Sequence, residues 1–145
     1  MFKVALYLFI GATLYLLFVF HCEAGTEKSK LDKLNPAFRV KVCKLLEQAR
    51  SKFDKHTIIV ATTYRPQWKQ DLLFKKGSNT TTVRVSKHTK GLAADIYFIE
   101  DGKILEYSQA PYLELGVMAE ELGMIWGGRW KVPFDPGHFE QGGKR

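Results

Sequence analysis

Cysteine is scarce in this chain. Two in 145 residues, Cys22 and Cys43, are too few for the disulfide framework that holds small secreted domains together. Internal repeats are absent, so the chain is read as one domain rather than an array. No nucleic-acid motif accompanies the formal net charge of +7. The basic balance is therefore assigned to solvated lysines, with anionic cell-wall polymers or lipid head groups as the expected counterparts and nucleic acid excluded. Long apolar runs are missing except at the front, where Met1-Phe2-Lys3 leads into an uncharged stretch from Val4 to Phe20, followed by His21-Cys22-Glu23-Ala24-Gly25. A charged end, an apolar stretch and small residues in that order make a secretory leader, with cleavage expected after Ala24 (residues 1–24). The alternative is an uncleaved N-terminal membrane anchor, since the run reaches the lower edge of a bilayer span. Either way the domain is expected to be exported (secreted, periplasmic or wall-associated) and to meet a membrane only through this segment. Loss of the leader would remove Cys22 and leave Cys43 unpaired within its own chain, as a half-buried small apolar residue.

What remains is ordinary globular material, 46% hydrophobic and 26% charged. The polar, lysine-rich residues 25–33 read as a linker, 34–140 as the domain and 141–145 as a frayed tail. Asn35-Pro36 opens a helix, with Asn35 as N-cap, and Phe38, Val42, Leu45, Leu46, Ala49 and Phe53 line one face of it. The β-branched stretch His56 to Thr63 reads as a buried strand that delivers Tyr64-Arg65 at its end. A short helix from Pro66 stops at Gly77, and Val83-Arg84-Val85 predicts a short strand. Ala93 to Ile99 is the next strand, with Ala93, Asp95 and Tyr97 on one face, turning at Asp101-Gly102 into a hairpin. A helix from Pro111 ends at Gly123, with Met118 as core filler, and an aromatic-rich strand pair closes the domain. The fold class is α+β: a small antiparallel sheet with helices packed on it.

Chemistry concentrates at Ser86 to Asp95. An aspartate in the apolar run Gly91 to Ile99 would cost several kcal/mol if buried unpaired, so Asp95 needs a cation. A metal ion with His88 as co-ligand is such a partner, and His138 completes the three nitrogen or oxygen ligands usual for a catalytic zinc. Asp135, held three residues earlier by the turn Asp135-Pro136-Gly137-His138, is then placed to act as general base toward a metal-activated water. Either histidine alone would be read as an ordinary core or surface residue, as His56 and His21 are. A serine triad of Ser86, His88 and Asp95 is disfavoured because Ser86 lacks the strand-to-helix elbow of such nucleophiles.

These residues resemble the zinc D-alanyl-D-alanine carboxypeptidase and L-alanyl-D-glutamate endopeptidase family of peptidoglycan hydrolases, of hedgehog/D,D-peptidase fold. The family pattern Ser-x-His-x-x-Gly-x-Ala-x-Asp, then acid-x-x-His, is met by Ser86, His88, Gly91, Ala93, Asp95, Asp135 and His138. Tyr64-Arg65, Gln70 and Leu73-Phe74 are similar to its Tyr-Arg-Ser...Gln-x-x-Leu-Tyr segment. Trp126-Gly127-Gly128 with Trp130 is similar to the Trp-Gly-Gly-x-Trp of its phage-endolysin branch. The likeness runs from about Leu34 to Glu140. Three departures border the expected cleft: Thr63 where many relatives have glycine, Pro66 for serine, and Arg129 where the endolysin branch often has aspartate.

The resemblance implies one Zn2+ per chain on His88, Asp95 and His138, with Asp135 as base and Arg65 binding a substrate carboxylate or the oxyanion. It implies lesser substrate-side or supporting roles for Ser86, Gln70, Tyr64 and Trp126, Ser86 being a structural hydroxyl. The substrate implied is the peptidoglycan stem peptide and the bond that between L-alanine and D-glutamate, with D,D-carboxypeptidase activity as the alternative. A zinc-containing wall-binding or signalling module, as in the hedgehog signalling domain, is the alternative from another class. Asp135 and the lack of a processing domain favour the enzyme, expected to be a monomer.

Overall fold

The computed structural model describes residues 27–77 and 85–143. Nine elements follow in chain order: α1 (Lys28–Leu31), α2 (Pro36–Lys52), β1 (Thr57–Thr62), α3 (Gln67–Lys75), β2 (Ala93–Glu100), β3 (Lys103–Ile104), α4 (Tyr112–Glu121), β4 (Met124–Trp126) and β5 (His138–Gln141). The strands form one antiparallel sheet in the order β1-β2-β5-β4, with β3 paired to β2. The expected α+β class and its antiparallel sheet are thus present.

Two-residue alternation along β2 divides the molecule. Ala94, Ile96 and Phe98 point into the core, where they meet Phe38, Val42, Leu45, Leu46 and Ala49 of α2 and Leu115 and Ala119 of α4. Burying each large apolar side chain stabilises the fold by about 1.5–3 kcal/mol before chain entropy is counted. Asp95 and Tyr97 project from the opposite face and line a cavity. The α2 start is as its sequence dictates: Asn35 Oδ1 accepts from Ala37 N–H at 3.1 Å, and Pro36 occupies the first helical position. Tyr112 anchors α4 to the hairpin, its hydroxyl donating to the Leu105 carbonyl and accepting from Phe98 N–H. His56 packs edge-on against Phe98, an ordinary packing role.

Several expectations need correction. Residues 27–33 are not a linker: Leu31 is fully buried, and the edge of β1 is closed by this segment. Glu27 Oε1 accepts from Val60 N–H at 2.6 Å, and Lys30 Nζ donates to the Val60 carbonyl at 2.7 Å. An exposed strand edge leaves backbone groups unpaired, and the charged residues that gave this stretch a linker's composition are the ones that pair them. Gln141 belongs to β5 rather than to a frayed tail. Cys43 is disulfide-bonded and buried, not an unpaired half-buried residue; the sequence holds one other cysteine, Cys22, outside the described residues. Val85 lies outside any strand, while Val83 and Arg84, like the leader and its cleavage site, fall outside the described residues. Among the described residues no helix is long and apolar enough to cross a membrane.

Candidate metal centre and active-site cleft

Strand register brings the first two candidate ligands together. Asp95 on β2 lies directly opposite His138 on β5, and both point from the same face. His88 arrives from the 3-10 turn Lys87–Lys90 that precedes β2. Ser86 caps this turn, its hydroxyl oxygen accepting from His88 N–H at 3.3 Å. Gly91 ends the turn at φ +65°, and a Cβ there would lie 2.6 Å from the Lys33 carbonyl oxygen, so the position needs glycine twice over.

His88 Nε2, Asp95 Oδ1 and His138 Nδ1 stand 3.1, 3.3 and 3.2 Å apart pairwise. The edge of a tetrahedron whose centre-to-ligand bonds are about 2.0–2.1 Å is about 3.3–3.4 Å, so the triangle matches the face of a zinc tetrahedron. The outer ring nitrogens point the same way. His88 Nδ1 sits 2.9 Å from the Thr63 carbonyl, which can only accept, so Nδ1 carries the hydrogen and Nε2 turns a lone pair inward. His138 Nε2 faces Glu140 Oε2 at 3.4 Å, which likewise directs the Nδ1 lone pair inward. Three lone pairs converging in a buried site repel unless a cation sits among them. The residues present therefore fit a zinc ion.

The charge preferences of Asp95 and His138 express the same demand. Burial disfavours charge on His138, yet hydrogen bonds to Asp95 and Glu140 and the charges of Asp95 and Asp135 outweigh it and push the imidazole up to about 9. Burial would likewise raise the Asp95 carboxyl, but hydrogen bonds and charge from His138 and His88 hold it well below the usual carboxylate range. The Asp95 carboxylate thus favours a positive charge beside it.

The cavity, about 560 Å³, is lined by Arg65, Gln70, Tyr97, Trp130 and Asp135 around the three ligands. Burial, followed by the Asp95 charge, raises the Asp135 carboxyl above its ordinary value, nearer the working range of a general base. Its turn is fixed by His138 N–H donating to the Asp135 carbonyl and Asp135 N–H donating to that of Gly127. Arg65 is oriented by Gln70, which is buried and accepts from Arg65 Nη1 at 2.8 Å, while Nη2 lies 3.7 Å from Asp95 Oδ2. Gln70 is thus a support for Arg65.

Two of the expected site residues lie elsewhere. Tyr64 is largely exposed and does not line the cavity. Trp126 is 1% exposed, a core residue whose indole N–H donates to the Pro136 carbonyl at 2.8 Å, bracing the Asp135 turn from behind. Trp130 takes the wall position instead, tilted against His138 at 5.1 Å between ring centroids. Glu140 escaped sequence reasoning; its place two residues beyond His138 on a strand, hence on the same face, was the available signal.

An antiparallel α+β sheet carrying a buried His-Asp-His centre with a carboxylate and an arginine in one cleft defines a metallohydrolase-type site. Residues 79–141, which include all three ligands and Asp135, match the family model described as D-alanyl-D-alanine carboxypeptidase. Over that span the chain is similar to this family, in line with the sequence resemblance, and the match supports a metallopeptidase acting on peptidoglycan.

Among solved structures it is similar to the L-Ala D-Glu endopeptidase ChiX of Serratia marcescens, at 20% identity and TM-score 0.64, covering 79% of this chain and 85% of that one. It is also similar to VanYB in complex with D-alanine-D-alanine, at 22% identity and TM-score 0.53, covering 76% and 72%. The LD-carboxypeptidase LdcB gives 21% identity and TM-score 0.52, covering 72% and 59%. At these identities the likeness establishes the fold. No curated protein matches the chain at significant similarity.

Proposed function

We propose that the protein is an exported zinc peptidase that hydrolyses the peptide stem of bacterial peptidoglycan, at the bond between L-alanine and D-glutamate. The observation that carries the reading is the convergence of His88 Nε2, Asp95 Oδ1 and His138 Nδ1 at 3.1–3.3 Å beside Asp135 and Arg65. A zinc ion held there would acidify a coordinated water and polarise the scissile carbonyl. Asp135 takes a proton from the attacking water and passes it to the departing amine, a role its raised pKa suits. Arg65, aimed by Gln70, holds the developing negative charge of the carbonyl oxygen with a permanently charged fork of donors. Trp130 and Tyr97 line the cleft beside these groups.

The choice of bond rests on the Trp126-Gly127-Gly128 and Trp130 pattern of the endolysin branch. A D,D-carboxypeptidase is the second reading, supported by the description of the matching family model. A non-catalytic zinc module is disfavoured because Asp135 stands in the cleft as a half-buried carboxylate of raised pKa, costly to keep unless it has work there. Export rests on the leader-like pattern of residues 1–24.

Mass spectrometry of muropeptides digested with and without a chelator tests the reading. Release of whole stems, abolished by chelation, is the expected result. Loss of one terminal alanine would convert the assignment to carboxypeptidase, and intact muropeptides beside a zinc-loaded protein would favour the binding module.

A further inference from the structure

We propose that Thr63 is a positioning residue for the metal ligand His88, and that it ties this ligand to the N-terminal turn Glu27 to Asn35, making that turn a brace of the metal centre. The proposal rests on the reading of His88 as a ligand. Thr63 is 2% exposed and uses both ends of its residue. Its carbonyl accepts from His88 Nδ1–H at 2.9 Å, fixing the tautomer that turns Nε2 to the metal. Its hydroxyl donates to the Lys30 carbonyl at 2.6 Å, thirty-three positions earlier in the chain.

The brace is itself anchored at several points. Lys30 Nζ and Glu27 close the backbone of Val60, just before the irregularity in β1 that lets Thr62 pair with Asp95. Glu27 also pairs with Arg50 of α2 at 2.6 Å. On the other side of His88, Asn35 N–H donates to the Gly91 carbonyl at 2.9 Å, and the Lys33 carbonyl occupies the space beside Gly91 that a side chain would need. Residues 27–35 therefore grip the His88 turn at its C-terminal end and, through Thr63, at the ring. A ligand aimed by a fixed acceptor costs less to order when the ion binds, which is why outer partners change metal affinity.

The test uses the full chain, with Thr63→Val to delete the donor at nearly constant shape and Thr63→Ser to restore it. Lys30→Met, which removes the Nζ bond to Val60 and keeps the Lys30 carbonyl that Thr63 reaches, guards against a Thr63→Val protein that fails to fold. Zinc affinity is measured by competition with a chromophoric chelator, well below the unfolding midpoint of each metal-free variant. Cobalt absorption in the same site reports ligand geometry. Thr63→Val is expected to bind zinc about tenfold more weakly, the low end of outer-partner effects, with a shifted cobalt band, and Thr63→Ser to regain both. Lys30→Met should weaken binding in the same direction by a smaller factor.

Wild-type affinity and cobalt spectrum in both Thr63→Val and Lys30→Met would overturn the proposal, as would a Thr63→Ser defect equal to that of Thr63→Val. Failure of the wild-type chain to bind zinc at all would instead strike at the metal assignment itself.

Discussion

Gly137→Ala probes the coupling of fold and chemistry at one atom. A Cβ built on Gly137 would lie 2.7 Å from Tyr97 Cδ1 and 2.8 Å from Cζ, with Cε1 nearer still. Ordinary carbon contacts begin near 3.5 Å, so the ring and the turn must separate by at least about 1 Å. Tyr97 stands on the rigid central strand β2, flanked by β1 and β5, so the turn Asp135 to His138 is the part that gives. Overpacking of this kind costs about 1–3 kcal/mol of stability. A misplacement near 1 Å in the residues flanking it, the proposed base and a ligand, costs about a hundredfold in rate.

The assay pairs thermal unfolding of the zinc-loaded protein with hydrolysis of a purified stem peptide. Gly137→Ala should lose roughly a hundredfold in kcat at modest loss of stability, and adding Tyr97→Ala should recover part of both. Undiminished kcat in Gly137→Ala would refute the claim that the Tyr97 ring sets the position of the turn.

Asp135→Asn should keep one zinc per chain and lose at least a hundredfold in kcat, checked by metal analysis beside the peptide assay. Glu140→Gln keeps an acceptor for His138 Nε2–H and should hold zinc within a few-fold of wild type, whereas Glu140→Ala should weaken binding about 10–100-fold in a chelator competition. In the metal-free protein the His138 pKa is raised from 6.5 to about 9. The protonated ring therefore contributes stability that is complete below pH 6.5 and lost as pH rises through about 9, an effect of roughly 3 kcal/mol shared with Asp95. Chelated protein should accordingly show an unfolding midpoint that falls across that window. Zinc-loaded protein, whose His138 is already neutral, should not. Gln70→Ala should leave zinc bound and lower kcat through loss of the 2.8 Å support of Arg65.

The parts of the fold that follow periodic burial were legible in the sequence. Asn35-Pro36 and the apolar spacing of Phe38, Val42 and Leu45 predict α2 because capping and packing are local or one-faced. The metal site was legible because three residues, two histidines and an aspartate, share one chemical demand, a cation for a buried carboxylate. Residues 27–33 misled because their charges read as solvent-facing, while in the fold Glu27 and Lys30 spend them on the β1 edge. Trp126 and Trp130 carry the same residue type four positions apart, and only the tertiary packing sends one to the core and the other to the cleft. Glu140 was hidden for a related reason: a glutamate near a chain end is ordinary until its strand is paired and its face known. The disulfide at Cys43 was not legible, because a cysteine on the apolar face of a helix reads as a small core residue.

Titration of the metal-free protein with zinc, with stem-peptide hydrolysis followed at each addition, tests the central claim most directly. Activity should rise in proportion to added zinc and level off at one equivalent per chain, and a His88→Ala protein should show no such rise. Full hydrolysis by the chelated wild-type protein, or saturation with zinc without any hydrolysis, would contradict the account.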